Sequence, residues 1–233
     1  MKRFYSKNIQ SNYIYLEDNE AQHCTKVLRC KQGDKIEVLN GEGNRFEAEI
    51  QAINKHEVQA QIIRILQTET VNKNKLSVAI CPTKNPARFE WFLEKATEIG
   101  VHQIFPILTA RTEKQSIKQD RMQNIVLSAA KQSSQLFFPI LHELQPLKNV
   151  IESDNFEQHF IAHCKDEKQH LKNAYSPNQS AIILIGPEGD FTSEEINIAL
   201  NKNYIPVSLG NSILRVETAG VVACSIIQMV NEI

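Results

Sequence analysis

Ala181-Ile182-Ile183-Leu184-Ile185-Gly186-Pro187-Glu188-Gly189-Asp190-Phe191-Thr192, followed by Ser208-Leu209-Gly210-Asn211-Ser212-Ile213-Leu214-Arg215-Val216-Glu217-Thr218-Ala219, is the stretch whose reading decides the fold. Residues 181–185 are apolar without a break and stop at Gly-Pro, as in a strand covered on both faces. Gly186 and Gly189 bracket Pro187 and Glu188, so the backbone can turn sharply and come close to a ligand. Thr192 or Ser193 followed by Glu194 and Glu195 signals a helix N-terminus. A second short strand, a second glycine turn at Gly210 and a last helix follow. Open α/β sheets hold ligands where strands end in such loops. Two of them close in sequence can form two walls of one pocket.

Working outward, the same alternation extends upstream. Residues 76–81 form an apolar strand ending at Pro82. Asn85-Pro86 opens a helix with Pro at its first position. Phe89, Phe92, Leu93, Ala96 and Ile99 recur at helical spacing, and Gly100 suits the residue after the helix end. That aromatic stripe reads as core. Residues 104–108 form a second strand. A helix over 120–134 carries Ile125, Ala129 and Ser133 on one face, and 160–162 is a further strand. Strands alternating with helices imply a parallel sheet.

Residues before about 70 read differently. Ile36 and Val38 alternate, Asn40-Gly41 turns, and Phe46, Ala48 and Ile50 alternate again, which is a hairpin. Val58, Ala60, Ile62 and Ile63 add a strand, and one short helix fits residues 19–28, entered through Asp18. A small barrel of short strands fits this part best. The polar run Val71-Asn72-Lys73-Asn74 reads as a linker. The expected domains are therefore 1–72 and 73–233.

The 233 residues are 42% hydrophobic and 23% charged, with a formal net charge of −1, so the chain has no global nucleic-acid signature. RNA contact would have to come from local clusters. Residues 111–131 supply one: Arg111, Lys114, Lys118, Arg121 and Lys131 against Glu113 and Asp120. No apolar run approaches a membrane span. The N-terminus lacks the apolar core of a signal peptide, so a cytoplasmic location is expected. Five cysteines at 24, 30, 81, 164 and 224 contain no C-x-x-C pair and read as reduced, mostly buried thiols. His159 and His163 would share a strand face but stand too far apart for one ion, so no metal is expected.

The chain resembles the ribosomal RNA small subunit methyltransferase E family of the SPOUT (α/β-knot) superfamily. The resemblance rests on Ile185-Gly186-Pro187-Glu188-Gly189, Leu209-Gly210, and Ile213-Leu214-Arg215 with Glu217-Thr218-Ala219. It extends through residues 94–101, Pro106 and Ala130-Lys131-Gln132-Ser133, and reaches His23, Val27-Leu28-Arg29 and Gly33-Asp34. It thus covers most of the chain.

The resemblance implies a trefoil-knotted α/β methyltransferase domain with a parallel sheet, preceded by a PUA-like RNA-binding β-barrel. It implies S-adenosyl-L-methionine as methyl donor, a homodimer closed by the last helix, and 16S rRNA of the small ribosomal subunit as partner. The implied acceptor is N3 of one decoding-region uridine, usually numbered 1498. The chain also lacks the glycine patterns of dinucleotide and P-loop folds. Donor contacts are expected at Pro82, Thr83, Leu184, Ile185, Gly186, Pro187, Glu188, Gly189, Leu209, Gly210, Asn211, Ile213, Leu214, Thr218 and Ala219. RNA contacts are expected at Lys2, Arg3, Lys26, Arg29, Lys84, Arg111, Lys131 and Gln132.

Methylation at N3 displaces a proton, and a nearby cation would stabilise the developing imide anion. Arg215 is the first candidate, with an ion pair to Glu217 or Glu188 as its structural alternative. Glu217 is the second catalytic candidate, although a carboxylate there can equally serve the start of the last helix.

Four positions depart from the family pattern: Asp190 stands where glycine is common, Ser212 where arginine is common, and Lys131 and Gln135 replace frequent Glu and Arg. Two rival readings accompany the first. One is a methyltransferase of the same fold acting on tRNA or a ribose 2′-hydroxyl. The other is a non-catalytic RNA-binding assembly factor, which would bind RNA but no donor.

Overall fold

The computed structural model describes residues 1–71, 76–153, 155–164 and 168–231. The expected linker therefore lies, but for Val71, outside the described residues. The chain forms two compact units, 1–72 with 130–138, and 73–129 with 139–233. Residues 130–138 lie in the second half of the sequence and pack with the first unit.

The first unit contains β1 (Lys2–Tyr5), β2 (Ile9–Gln10), β3 (Tyr13–Glu17), α1 (Asp18–Gln22), β4 (Lys35–Leu39), β5 (Asn44–Ile53) and β6 (Glu57–Thr68). They form one sheet in the order β1-β4-β5-β6-β3-β2, antiparallel except for the β1–β4 pair. The hairpin read from alternation is present, with Ile36 opposite Ala48 and Val38 opposite Phe46. The Asn40 side chain accepts from the backbone N–H groups of Glu42 and Asn44, both at 2.9 Å, and so ties its loop. Register shifts between β5 and β6 bend the sheet. Phe4, Ile14, Leu16, Ile36 and Ile50 are fully buried at its centre.

The short helix differs from expectation. It begins at Asp18, which has φ 44°, and after Gln22 continues as a π-turn over His23–Val27. Glu17 occupies the cap position without a side-chain cap bond, so Asp18 does not cap this helix.

The second unit runs β7 (Leu76–Ile80), α2 (Pro86–Ile99), β8 (Gln103–Leu108), α3 (Gln119–Gln132), β9 (Ile140–Leu141), β10 (Gln145–Pro146), α4 (Leu147–Glu152), β11 (Gln158–Ala162), β12 (Gln169–His170), α5 (Leu171–Ala174), β13 (Ala181–Ile185), α6 (Ser193–Leu200), β14 (Ile205–Ser208) and α7 (Val216–Asn231). The last three residues of α3 belong to the first unit. The sheet order is β10-β8-β7-β13-β11-β14-β12, with β9 beside β8, and every pairing is parallel.

Local signals explain the helix ends. The Asn85 side chain accepts from Ala87 N–H at 3.0 Å, Pro86 starts α2, and Gly100 closes it at φ 103°. At α6, Thr192 accepts from Glu195 N–H while the Glu195 carboxylate accepts from Thr192 N–H, a reciprocal capping box. The other Glu195 oxygen accepts from Ala110 N–H at 2.8 Å and ties the loop after β8 to this helix.

The central strand β13 is buried along its whole length. Ile183 and Ile185 pack into the layer with Phe89, Phe92 and Ile227, while Ile182 and Leu184 pack into the opposite layer with Phe191 and Ile196. On α3 the buried positions are Met122, Val126, Ala129 and Ala130. This stripe lies one position further along than the face expected from Ile125, Ala129 and Ser133, because Ile125 is only half-buried.

Candidate active site

Three neighbouring strands end at one cleft. β11, β13 and β14 are adjacent in the sheet, and the residues following each of them line a cavity of about 480 Å³. Its walls are the turn after Ile185, the turn after Ser208 and the segment after Ala162. This is the crevice outside the strands' carboxyl ends where open α/β sheets bind ligands, and its size is ordinary for a small-molecule site.

The two glycines play different parts. At Gly186 a Cβ would stand 3.0 Å from the Phe191 ring, so the turn closes tightly on its own core. Gly210 has φ 141°, which favours glycine, and a Cβ there would meet nothing within 4 Å. The backbone at Gly210 is thus open to an occupant.

Of the expected donor contacts, Ile185, Gly186, Pro187, Glu188, Leu209, Gly210, Asn211, Ile213, Leu214 and Ala219 line the cleft. Leu184 does not contribute a wall. Alternation along β13 turns its side chain into the layer opposite Ile185, where it is fully buried. Gly189 and Thr218 also lie off the lining. Arg111 donates to the Gly189 carbonyl at 2.6 Å and holds that turn from behind. Pro82 and Thr83 line a different cavity, described below, because β7 ends on the far side of β13 from β11.

Sequence reasoning missed Ala162, His163, Cys164, Lys168, Asp190 and Ser208 as walls. Their signal lay in register: β11 pairs with both β13 and β14, so the segment after it must face the same cleft. Asp190 sits at φ 58° and uses both carboxylate oxygens, accepting from Phe191 N–H at 2.8 Å and Cys164 N–H at 2.9 Å. Aspartate adopts this left-handed region more readily than most residues, which suits it to this turn.

The two catalytic candidates part company. Arg215 lines the cleft, is exposed, and its side chain has no ion pair or hydrogen bond among the described residues. Glu217 is 8% exposed in the first turn of α7 and faces Arg88 at 3.8 Å. Glu188 accepts from Lys84 N–H at 3.2 Å. The ion pair that would have given Arg215 a structural role, with Glu217 or Glu188, is absent among the described residues. Glu217 lies outside the cleft lining, at the positive end of a helix where the dipole favours a carboxylate.

Most of the expected RNA contacts are engaged within the protein. Lys2 donates to the Leu28 carbonyl at 2.6 Å. Arg3 pairs with Glu37 and donates to the carbonyls of Lys131 at 2.6 Å and Gln132 at 3.3 Å, while Lys131 pairs with Glu20. Lys84 pairs with Glu113 at 2.9 Å, and this hydrogen bond raises its pKa. Gln132 is exposed, as are Lys26 and Arg29, which have no ion pair among the described residues. Burial pushes the Cys81 thiol up to about 11, against the hydroxyls of Thr112 and Thr109. Cys164 is the exposed cysteine, and the His159 and Tyr204 rings lie tilted by 53° with centroids 5.0 Å apart. Among the described residues no group of three His, Cys, Asp or Glu is placed to hold a metal.

Fold and cleft together define an RNA methyltransferase domain joined to a PUA domain: family models with those descriptions match residues 70–228 and 16–63. A ribosomal RNA small subunit methyltransferase E from Mesomycoplasma hyopneumoniae is 31% identical over 229 residues, covering 95% of this chain and 96% of its own. The crystal structure of a probable rRNA-methyltransferase from Porphyromonas gingivalis superposes with a TM-score of 0.89 at 35% identity, covering 100% of this chain and 99% of its own. That of a ribosomal RNA small subunit methyltransferase E from Neisseria gonorrhoeae bound to S-adenosyl methionine superposes with 0.87 at 27% identity, covering 98% and 97%. The chain belongs to the ribosomal RNA small subunit methyltransferase E family.

Proposed function

We propose that this chain transfers the methyl group of S-adenosyl-L-methionine to N3 of a uridine in 16S rRNA of the small ribosomal subunit. The observation that carries the reading is the open cleft between the turns at Gly186 and Gly210, with an unpaired Arg215 on its wall. When bound, the donor supplies an electrophilic methyl on a sulfonium, so no metal is needed.

The residues present fit such a donor. Ile185, Leu209, Ile213 and Leu214 give an apolar slot, and the open backbone at Gly210 lets a polar edge approach main-chain groups. Asn211, Ser208 and Glu188 add polar side chains to the walls. The transfer replaces N3–H by N3–CH3 and releases a proton and the uncharged thioether. Arg215 would stabilise the negative charge that spreads to O2 and O4 as the proton leaves. Glu217 holds the start of α7 through Arg88, and so fixes the backbone from which Arg215 projects.

The domain of residues 1–72 would add RNA contact through Lys26 and Arg29, two exposed cations with no ion pair among the described residues. Homodimerisation would use the outer side of α7, where Met229 is 64% exposed and Val222 and Ile226 are half-buried. Ala223, on the inner side of the same helix, is fully buried in its own unit. In the implied fold the loops of the cleft form a trefoil knot, and the setting is the cytoplasm.

Mass mapping of 16S rRNA from cells with and without the gene tests the reading. It predicts one uridine carrying a base methyl only when the gene is present. A methyl on tRNA or a ribose, or none at all, would overturn it.

A further inference from the structure

A second cavity of about 270 Å³ opens beside the cleft, at the end of β7. Its floor is apolar: Pro82, Pro86, Phe89, Ile117 and Met122. Lys114 and Lys118 stand among its lining residues, and neither side chain has an ion pair or hydrogen bond among the described residues. Arg121 does not share that freedom, because Glu90 binds it twice, at 2.6 and 2.8 Å.

Position ties this cavity to the cleft. β7 pairs with β13 in register, Ile80 opposite Ile185, so the two strands deliver their following turns side by side. Lys84 N–H, next to Thr83 of the second cavity, donates to the Glu188 carboxylate of the first. A base that accepts a methyl must leave its stack and be received in a concave pocket close to the donor. Such a receptor needs an apolar floor for the ring and cations for the phosphate that travels with it. With the donor seated in the cleft between the glycine turns, the neighbouring cavity is placed to receive the ring.

We infer that the cavity walled by Phe89, Ile117 and Met122 receives the extruded pyrimidine nucleotide of the RNA, with Lys114 and Lys118 on its phosphate. This rests on the methyltransferase reading of the neighbouring cleft. Phosphate and ring would be held by different groups, so their losses separate.

Three variants test it, with donor binding, oligonucleotide binding and methyl transfer measured on each. The binding probe is a short single-stranded, uridine-centred oligonucleotide, titrated without donor. Ile117→Trp fills the cavity and should lower methyl transfer to small-subunit rRNA about 100-fold, the scale of a misplaced reactant, while S-adenosylmethionine affinity stays unchanged. Ser116→Trp, at an exposed lining position, repeats the test if the first variant is unstable. The Lys114→Ala, Lys118→Ala double variant should weaken the oligonucleotide and reduce the slope of log affinity against log salt by roughly 0.7, the value for one neutralised phosphate on a single strand. Wild-type transfer by both tryptophan variants, or an unchanged salt slope, would overturn the assignment while leaving the methyltransferase reading intact. Failure of the wild type to transfer a methyl to any RNA would overturn that reading instead, and oligonucleotide binding would then judge the cavity alone.

Discussion

Glu217 in the first turn of α7 points at Arg88 in α2, 3.8 Å away, and not at Arg215 two residues before it. The pair links the starts of the two helices that pack against each other behind the sheet, and it leaves Arg215 available to the cleft. Arg88 and Arg215 should therefore fail differently. Arg88→Ala strands a nearly buried carboxylate and should cost about 1 kcal/mol, a modest figure because the Arg88 side chain is 41% exposed. Arg215→Ala should leave the unfolding midpoint and donor affinity unchanged but lower turnover about 100-fold or more. Thermal denaturation and single-turnover kinetics on the two variants distinguish these outcomes.

Helix α7 is seated by a glycine that no side chain can replace without movement. A Cβ on Gly220 would lie 2.5 Å from the Phe92 ring and 2.9 Å from Ile80. Phe92 and Ile80 are both fully buried, so the intrusion has nowhere to go. Gly220→Ala should destabilise the protein by about 1–3 kcal/mol through overpacking. Denaturant unfolding should show a lower midpoint at an unchanged slope.

Alkaline pH should unfold the protein through its buried thiols. Burial raises Cys81 to about 11 and Cys224 to about 12 from an ordinary value near 9.0. Both native thiols hold their protons more tightly than the unfolded chain does. Their stabilising contribution is thus complete below about pH 9 and is lost as pH rises, through about 11 for Cys81 and about 12 for Cys224. Within that window each contributes up to ~1.4 kcal/mol of lost stability per pH unit. Cys224→Ala should flatten the decline by one thiol's share, which denaturation at a series of pH values can measure.

Much of this arrangement is legible in the sequence because its signals are local. Asn85-Pro86 with Gly100, and Thr192 with Glu195, mark helix ends through bonds made within a few residues. The two glycine turns are visible for the same reason, and so is the change from alternating to helical periodicity near residue 75. What stays hidden depends on long-range register. A strand buried on both faces has no alternation to read, so nothing in Ile182-Ile183-Leu184-Ile185 says that Leu184 turns away from the cleft. Cys164 and Asp190 meet across it only because β11 lies beside β13. The basic residues near 131 looked available to RNA, but Lys131 is taken by Glu20, far away in sequence.

The central claim is that the turns at Gly186 and Gly210 hold the methyl donor between them. Calorimetric titration of S-adenosylmethionine into the wild type and Gly210→Ala tests it most directly. At φ 141° the added Cβ is strained and, with no protein atom within 4 Å, projects into open space where the donor would approach the backbone. The account predicts one donor bound per chain and affinity at least about tenfold weaker in the variant, a change of ~1.4 kcal/mol. No binding to the wild type, or equal binding to both proteins, would contradict it.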